Sequence, residues 1–271
     1  MKKYFIILAI LGFGCFVMNS CQKSSDVNPN NDQQIKTLYS LGCNLLPAEE
    51  YAKIPVAKEI VGIPLKTVVN LACPPVANQG QGNCIGWGTA YAARSILWHK
   101  DHVAPYSASV NIFSPCFVNY YSGVCTGSAY VSTALGVLYT KGVCRLSVGP
   151  ATDCTVPTAA QIADALIYKI NSYGTVTRTT AAIKAQLNAG FPVIVAGPVN
   201  NAFLNYTSGV LSTFSGSSLG GHCYCLVGYD DTKSAFKFMN SWGTAWGASG
   251  FGYIAYGYET TWWSEAYVMG N

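Results

Sequence analysis

The sequence predicts an α+β protein in which helices come first along the chain and strands follow. Its 271 residues are 50% hydrophobic and only 10% charged, which excludes intrinsic disorder and provides for a large buried core. Helical patterns occupy the first half of the globular part, and short apolar runs separated by Gly and Asp turns occupy the second half. This order indicates two lobes.

The helices are predicted from segments that lack chain breakers. A short strand at 65–71 comes first, and the prolines at 74–75 lead from it into a Gly-rich loop. The helix after this loop begins at Cys84 and extends to about His99. Further helical segments follow at 131–141, 158–173 and 179–189.

The second half contains short runs rich in β-branched and aromatic residues, which are typical of buried strands. The predicted strands are 192–196, 223–227, 235–239 and 252–256. The boundary between a helical lobe and a β-rich lobe is expected near residue 165, so that the lobes span about 66–165 and 166–271.

The N-terminal segment has the pattern of an export signal. Lys2 and Lys3 precede an apolar run at 4–17, about 14 residues long and too short to span a bilayer comfortably. Small residues before Cys21 and a polar stretch after it resemble a bacterial lipoprotein signal, in which the cysteine becomes the lipid-modified N-terminus. Met18 departs from the preferred Leu, and a plain secretory signal with an incidental cysteine is the alternative.

These patterns divide the chain into a signal peptide at 1–20, a polar tether at 21–42 and a globular domain at 43–271. We expect an exported protein held at the bacterial cell envelope by the lipid on Cys21, at the outer membrane or the cell surface. No cluster of Lys or Arg forms the concentrated basic face that nucleic-acid binding requires.

Export also changes how the eleven cysteines are interpreted, because an oxidising compartment favours disulfides. Without Cys15 and Cys21 their number is odd, which predicts that one thiol stands apart. The shortest loops favour the disulfides Cys116–Cys125 and Cys144–Cys154. Two further cysteines, Cys223 and Cys225, share one face of a strand, cannot readily bridge each other and are expected to include buried free thiols.

Cys84 lies where a reactive thiol is favoured. It follows the Gly-rich loop 78–83 and begins a helix, where unpaired N–H groups and the helix dipole stabilise a thiolate. Gln79, in the same loop, can supply an amide donor beside the thiol. Taken alone, Cys84 can equally be a buried structural cysteine.

A histidine and an asparagine complete a possible catalytic set. His99 and His102 are expected about 20 Å from the start of the Cys84 helix, so His222 is the natural base. Asn240 can accept a hydrogen bond from the second imidazole nitrogen and fix the ring's tautomer. Trp242 can cover that bond and exclude water.

The ordered set of Gln79, Cys84, His222 and Asn240 resembles the papain family of cysteine peptidases. His222 and Asn240 follow Cys84 by about 140 and 155 residues, close to the family spacing of about 130–150, and the Asn-Ser-Trp-Gly segment at 240–243 is highly specific. The resemblance covers roughly residues 60–260. It implies a papain-like fold with a helical left lobe, a β-barrel-like right lobe and an active-site cleft between them.

The resemblance implies a role for each of these residues. Cys84 is the thiolate nucleophile, and His222 is its imidazolium partner and the general acid for the leaving amine. Asn240 orients His222. Gln79 and the backbone N–H of Cys84 form the oxyanion hole, so that peptide bonds are hydrolysed through a thioester.

The residues expected to bind substrate match the family pattern less closely. The family's glycine pair corresponds to Gly127 and Ser128, which we expect to bind the substrate backbone, and Trp242 is a further candidate contact. The loop from Gln79 to Cys84 is one residue shorter than usual, and Ile85 stands where an aromatic residue is usual. A full inhibitory pro-domain does not fit before the domain.

The resemblance implies a monomeric peptidase that acts on a peptide or protein and needs neither cofactor nor metal. We expect it to be an endopeptidase. Two other classes remain open. A catalytically silent papain-like protein could bind peptides or glycans in its cleft, and the shortened Gln79 loop supports this alternative. The second of these classes is a cell-wall amidase with a Cys–His pair. The segment 240–243 argues against it.

Overall fold

The computed structural model describes residues 41–80, 82–151 and 154–271. The predicted signal peptide, Cys21 and nearly all of the tether lie outside these ranges. Every helix within them is too short or too polar to cross a bilayer.

The chain begins with strand β1 (Cys43–Asn44), helix α1 (Ala48–Tyr51) and strand β2 (Val68–Asn70). A central helix then runs from residue 84 to 101. Its segments are the α-helical turn α2 (Cys84–Gly86), a π-helical stretch (Trp87–Arg94) and α3 (Ser95–Asp101). Every residue from 84 to 97 is buried, because other elements pack around the helix on all sides.

Seven further helical segments follow within the described residues, and those at 115–122 and 131–140 pack against the central helix. They are α4 (Pro115–Ser122), a 3₁₀ turn (Val124–Thr126), α5 (Val131–Thr140), α6 (Ala159–Ile167), α7 (Thr180–Asn188), α8 (Asn201–Leu204) and α9 (Glu259–Trp262). Local signals fix several of their ends. Ser114 caps α4 by accepting the N–H of Phe117, and Thr158 and Gln161 form a capping box at α6.

The strands of the second half form one sheet. They are β4 (Ser172–Thr175), β5 (Val193–Val199), β6 (Gly220–Asp230), β7 (Ala235–Met239), β8 (Phe251–Ala255) and β9 (Glu265–Gly270). The order among the described residues is β4-β9-β5-β6-β7-β8, all antiparallel, and β2 joins the end of β6. A separate short parallel pair joins β1 to β3 (Ala129–Tyr130).

The α+β class is therefore confirmed, and the sheet follows the helices along the chain as predicted. The sheet is open and not closed into the expected barrel-like lobe, since β4 and β8 lie at opposite edges of it. Two hydrophobic clusters fill the molecule: one surrounds the central helix, and the other holds Phe203 with Trp242, Trp246 and other aromatic residues.

The central helix and the sheet pack at very close range. A Cβ atom added to Gly88 would lie 2.7 Å from the sulfur of Cys223 on β6. Only glycine permits this approach, because real Cβ atoms do not come so near another heavy atom. The nucleophile helix is thus held directly against the strand that carries His222.

The predicted disulfides are wrong. The structure joins Cys125 to Cys154, with 5.7 Å between their Cα atoms. Helix α4 explains why Cys116 and Cys125 do not pair: Cys116 lies in its first turn and Cys125 beyond its end, about 10 Å or more apart. Cys144 is buried as a free thiol.

Cys223 and Cys225 are buried free thiols, as predicted. The predicted helices and strands all form, with ends that differ by a few residues, and the 158–173 segment ends early, at Ile167. The sequence reading missed α4, whose eight residues lie between turn-forming segments, and it missed β4 and β9.

Candidate active site

The sheet side of the site consists of a histidine and an asparagine from neighbouring strands. His222 lies near the start of β6, and Asn240 follows the last residue of β7. The Nε2 atom of His222 lies 2.8 Å from Oδ1 of Asn240. The same oxygen accepts the backbone N–H of Ser241 at 2.8 Å, so an amide oxygen faces the ring and Nε2 must carry the proton.

This tautomer leaves Nδ1 of His222 as the basic nitrogen. Nδ1 is buried and has no hydrogen-bond partner among the described residues. The indole of Trp242 stacks on the imidazole with 4.4 Å between ring centroids and 25° between planes. Trp242 is itself 3% exposed, a position that favours shielding the imidazole from water over contact with a substrate.

Burial governs the protonation of His222. The ring is fully buried, which lowers its pKa to about 4, and the hydrogen bond to Asn240 opposes this only in part. At neutral pH the imidazole is therefore neutral in this conformation.

The helix side supplies the thiol. Cys84 occupies the first turn of the central helix and has no exposed surface. Burial raises the pKa of its thiol, and backbone N–H groups that point at the sulfur oppose the rise. These groups belong to Cys223, Gly42, Cys84 and Ile85. The sulfur therefore lies in an anion-stabilising ring of donors, yet it stays protonated while it is shut away from water.

Asn119 of α4 fixes the start of the central helix. Its Oδ1 accepts the N–H of Gly86 at 2.9 Å, and its Nδ2 donates to the carbonyl of Asn83 at 3.1 Å. These two hydrogen bonds hold the chain just before and just after Cys84. Sequence reasoning missed this buried residue because its helix was not predicted.

Gln79 connects the nucleophile loop to the asparagine segment. Its backbone N–H donates to the carbonyl of Ser241 at 2.7 Å, and Ser241 Oγ donates to its Oε1 at 2.6 Å. These bonds turn the amide oxygen towards Ser241 and the NH₂ group the other way, as an oxyanion donor requires. Ser241, too, was not singled out from the sequence.

An N-terminal segment, residues 41–46, lies across this site, and we call it the strap. A Cβ atom added to Gly42 would lie 1.7 Å from the carbonyl oxygen of Gly82, beside the nucleophile. A Cβ atom added to Gly221, beside His222, would lie 2.2 Å from the carbonyl oxygen of Cys43. The strap therefore passes between the two halves of the candidate site.

The strap is anchored beyond this crossing. Its strand β1 pairs in parallel with β3, and Ser128 Oγ donates to Oδ1 of Asn44 at 2.7 Å. At its far end the N–H of Leu46 donates to Oε1 of Glu265 at 2.6 Å. Ser128 and the strand that follows it thus lie beside an extended segment of the chain itself.

Glu265 is buried beside the strap. Burial raises the pKa of its carboxyl, opposed by hydrogen bonds from the Tyr267 hydroxyl and the Leu46 N–H. A pocket of about 580 Å³ lies next to the strap's end and is lined in part by Leu46, Tyr139 and Tyr173. Sequence reasoning found neither feature, because a single acid in a strand and a polar segment before the domain carry no pattern.

The structure therefore places the Cys84 sulfur against the backbone N–H of Cys223, the neighbour of His222, and joins Asn240 to His222 and Gln79 to Ser241. His99 and His102 lie elsewhere, stacked on Tyr106 and Trp98. Within the described ranges, no group of three or more His, Cys, Asp or Glu side chains is arranged to hold a metal ion.

Comparisons with known proteins identify the family and the fold of this domain. The Peptidase_C1 sequence model, described as "Papain family cysteine protease", matches residues 66–269. The chain is 30% identical over 178 residues to Gamete and mating-type specific protein A of Dictyostelium discoideum, covering 65% of this chain and 39% of that protein. It is 33% identical over 106 residues to a gut-specific cysteine proteinase of Caenorhabditis elegans, covering 38% of this chain and 32% of that protein.

Solved structures share the fold. Xylellain, a cysteine protease from Xylella fastidiosa, superposes with a TM-score of 0.74 at 24% identity, over 87% of this chain and 97% of that chain. A procathepsin B from Trypanosoma congolense gives 0.69 at 16% identity, over 86% of this chain and 87% of that one. The papain-like fold is thereby confirmed. The chain spans only about a third to two fifths of the curated relatives named above.

Proposed function

Because the chain belongs to the papain family of cysteine proteases, we propose that it is a cysteine peptidase acting through Cys84, His222 and Asn240. The 2.8 Å bond between His222 Nε2 and Asn240 Oδ1 carries the proposal. It leaves the basic Nδ1 unpaired among the described residues, which is the state that a base for a nearby thiol requires.

In the proposed reaction, Nδ1 of His222 takes the proton of Cys84 and the thiolate attacks the substrate's carbonyl carbon. The backbone N–H of Cys84 and the amide of Gln79 stabilise the resulting oxyanion. His222 then gives its proton to the leaving amine, and a thioester remains. Water, deprotonated by His222, hydrolyses the thioester and restores the thiol.

The strap makes the described conformation a closed one. Cys84 and His222 are fully buried under it, and burial keeps both groups neutral. A substrate must displace the strap before it reaches the thiol. Water that enters with this displacement lowers the pKa of Cys84 and raises that of His222, which favours the thiolate–imidazolium pair.

The wider setting is proposed on the sequence. The signal at 1–20 and the lipid-modified Cys21 would place an exported, monomeric endopeptidase at the bacterial cell envelope, with the domain at 43–271 facing peptide or protein substrates. Gly127 and Ser128 would bind the substrate backbone along the line that the strap now follows.

The test labels the protein with a thiol-reactive epoxide and follows peptide-library cleavage. It uses the full chain and a Gly42→Ala variant, whose added Cβ would lie 1.7 Å from the Gly82 carbonyl oxygen and therefore forces the closed strap to shift. We expect labelling at Cys84 that is lost in Cys84→Ala, and cleavage that is lost in His222→Ala. Cys73→Ser, at a half-buried thiol bonded to the Leu71 carbonyl, is the matched control.

The alternative of a silent binding protein has its own outcome. If Cys84 stays unlabelled in Gly42→Ala while peptides or glycans still bind the cleft, the peptidase proposal is wrong. Cleavage of cell-wall amides without cleavage of peptide libraries would instead favour the amidase.

A further inference from the structure

The strap brings a second thiol to the candidate nucleophile. Cys43 follows Gly42, whose N–H points at the sulfur of Cys84. The Cys43 side chain is 7% exposed and belongs to the same packed cluster as Cys84 and Cys223. Three thiols thus converge where the strap crosses the cleft, and the peptidase reaction described above uses only one of them.

The electrostatics agree with this convergence. Burial raises the pKa of Cys43 well above its usual value, and the charges of Cys84 and Cys223, in that order, raise it further. Such interactions are strong only in a poorly hydrated region, which agrees with the three thiols being buried in one part of the core.

The lengths of their strands distinguish Cys43 from Cys223. Cys223 lies within the eleven-residue strand β6, and its sulfur faces Gly88 of the central helix at close range. Cys43 lies in a strand of two residues that is paired on one side to another strand of two residues. Small strand movements can therefore bring Cys43, but not Cys223, into disulfide geometry with Cys84.

We propose that Cys43 and Cys84 form a reversible disulfide that locks the strap over the cleft and holds the peptidase inactive until it is reduced. The proposal rests on Cys84 being the nucleophile of the proposed function. Unlike the closed conformation alone, which any competing peptide can open, the covalent state responds to the redox conditions around the protein.

The oxidant is a small-molecule or protein disulfide, such as oxidised glutathione. When the strap opens, the Cys84 thiolate attacks one sulfur of that disulfide, which forms a mixed disulfide and releases one thiol. Cys43, once deprotonated, attacks the Cys84 sulfur, closes the intramolecular disulfide and releases the second thiol. Two protein thiols are oxidised and one external disulfide is reduced, and a dithiol reverses both steps.

The direct test is disulfide mapping of the full chain. The protein is equilibrated with oxidised or reduced glutathione, its free thiols are alkylated, and it is digested without reductant. We expect a peptide pair joined through Cys43 and Cys84 only in the oxidised sample, while the Cys125–Cys154 pair appears there as well. Oxidised protein with the Cys125–Cys154 pair but no Cys43–Cys84 pair would overturn the proposal.

A second test uses epoxide labelling of Cys84 under the same two conditions. In the wild type we expect labelling to be lost on oxidation and regained with dithiothreitol. In oxidised Cys43→Ser we expect Cys84 to carry a glutathione adduct, because no second thiol resolves the mixed disulfide, whereas oxidised wild type and Cys73→Ser should carry no adduct on Cys84. A glutathione adduct on Cys84 of the oxidised wild type, in place of the bond to Cys43, would contradict the role of Cys43.

The two proposals fail in different ways. A Cys43–Cys84 pair with no cleavage by reduced Gly42→Ala protein would support the disulfide and reject the peptidase. Should Cys43→Ser fold poorly by thermal unfolding, Cys43→Ala replaces it, and the mapping of the wild type needs no variant.

Discussion

The two sides of the cleft are built differently. The sheet side presents His222 from an eleven-residue strand, with Asn240 at 2.8 Å and Trp242 stacked on the ring. The helix side presents Cys84 from the end of an irregular loop, held by Asn119 and covered by the strap. One side is complete in the closed conformation, whereas the other depends on what lies over it.

Because of this difference, the proposed regulation would act on one side of the cleft only. Sheet hydrogen bonds keep the histidine's tautomer and orientation whether or not the strap is present. The environment of the thiol changes as soon as the strap moves, because Gly42 both covers the sulfur and donates to it. Substitutions on each side can test whether the two sides of the cleft act independently.

The largest effect is expected at Gln79, where the two sides meet. Gln79→Ala in the Gly42→Ala background should lower kcat by about 10²–10³-fold with little change in KM, because the amide acts on the oxyanion of the transition state. Steady-state cleavage of a fluorogenic peptide measures this. Asn78→Ala, an exposed change in the same loop, is the control, and an unchanged kcat in Gln79→Ala would mean that the shortened loop has no working oxyanion hole.

The second prediction concerns how much the stability of the helix side depends on the Cys125–Cys154 disulfide. Cys125→Ser should lower the free energy of unfolding by roughly 3–4 kcal/mol, because the bond closes a long loop in the unfolded chain. Urea unfolding measures the loss. Cys116→Ser, at a thiol that donates to the Ala151 carbonyl at 2.9 Å, should lose less, and equal losses would point back to a Cys116–Cys125 bond.

The buried imidazole should make the sheet side sensitive to acid. The pKa of His222 is about 4 in the folded protein and near its ordinary 6.5 in the unfolded chain. The unfolded state therefore binds the extra proton between these values, and stability falls as the pH falls from about 6.5 to about 4, by about 3 kcal/mol in total.

The measurement for this prediction is the difference in unfolding free energy between wild type and His222→Gln, taken at pH 7 and at pH 4. Taking the difference removes the titration of other groups. We expect the difference in unfolding free energy that favours the wild type at pH 7 to be lost at pH 4. A pH-independent difference for His222 would show that the ring is hydrated.

The smallest effect is expected from opening the strap itself. Gly42→Ala should raise the rate of epoxide labelling at Cys84 about tenfold, which corresponds to a weakening of the closed state by about 1.4 kcal/mol. Gly136→Ala, where an added Cβ meets nothing within 4 Å, is the control. Equal rates in both variants would mean that the strap does not limit access to the thiol.

The sequence predicted local features of this structure but not the contacts between residues far apart in the chain. A Gly-rich loop before a breaker-free segment predicted the helix at Cys84, and the segment 240–243 predicted the partner of His222. Both inferences depend on neighbouring residues alone. The site residues themselves remain predictions until they are tested by substitution.

The missed features join residues that lie far apart in the chain. Asn119 acts on Gly86 across 33 residues, and Glu265 reaches Leu46 across 219. The disulfide was assigned by loop length, a criterion that ignores the helix between Cys116 and Cys125. No periodicity reports such contacts, because each depends on how two distant elements pack.

The strap also determines how substrates compete for the site. It is part of the same chain, so dilution does not weaken it, and its effective concentration is that of a tethered ligand. The same reduction applies to every peptide that enters: its apparent Kd is its intrinsic Kd divided by the fraction of molecules that are open. In the proposed peptidase the unlocked strap would therefore raise the apparent KM of every substrate by the same factor and leave the maximal rate unchanged.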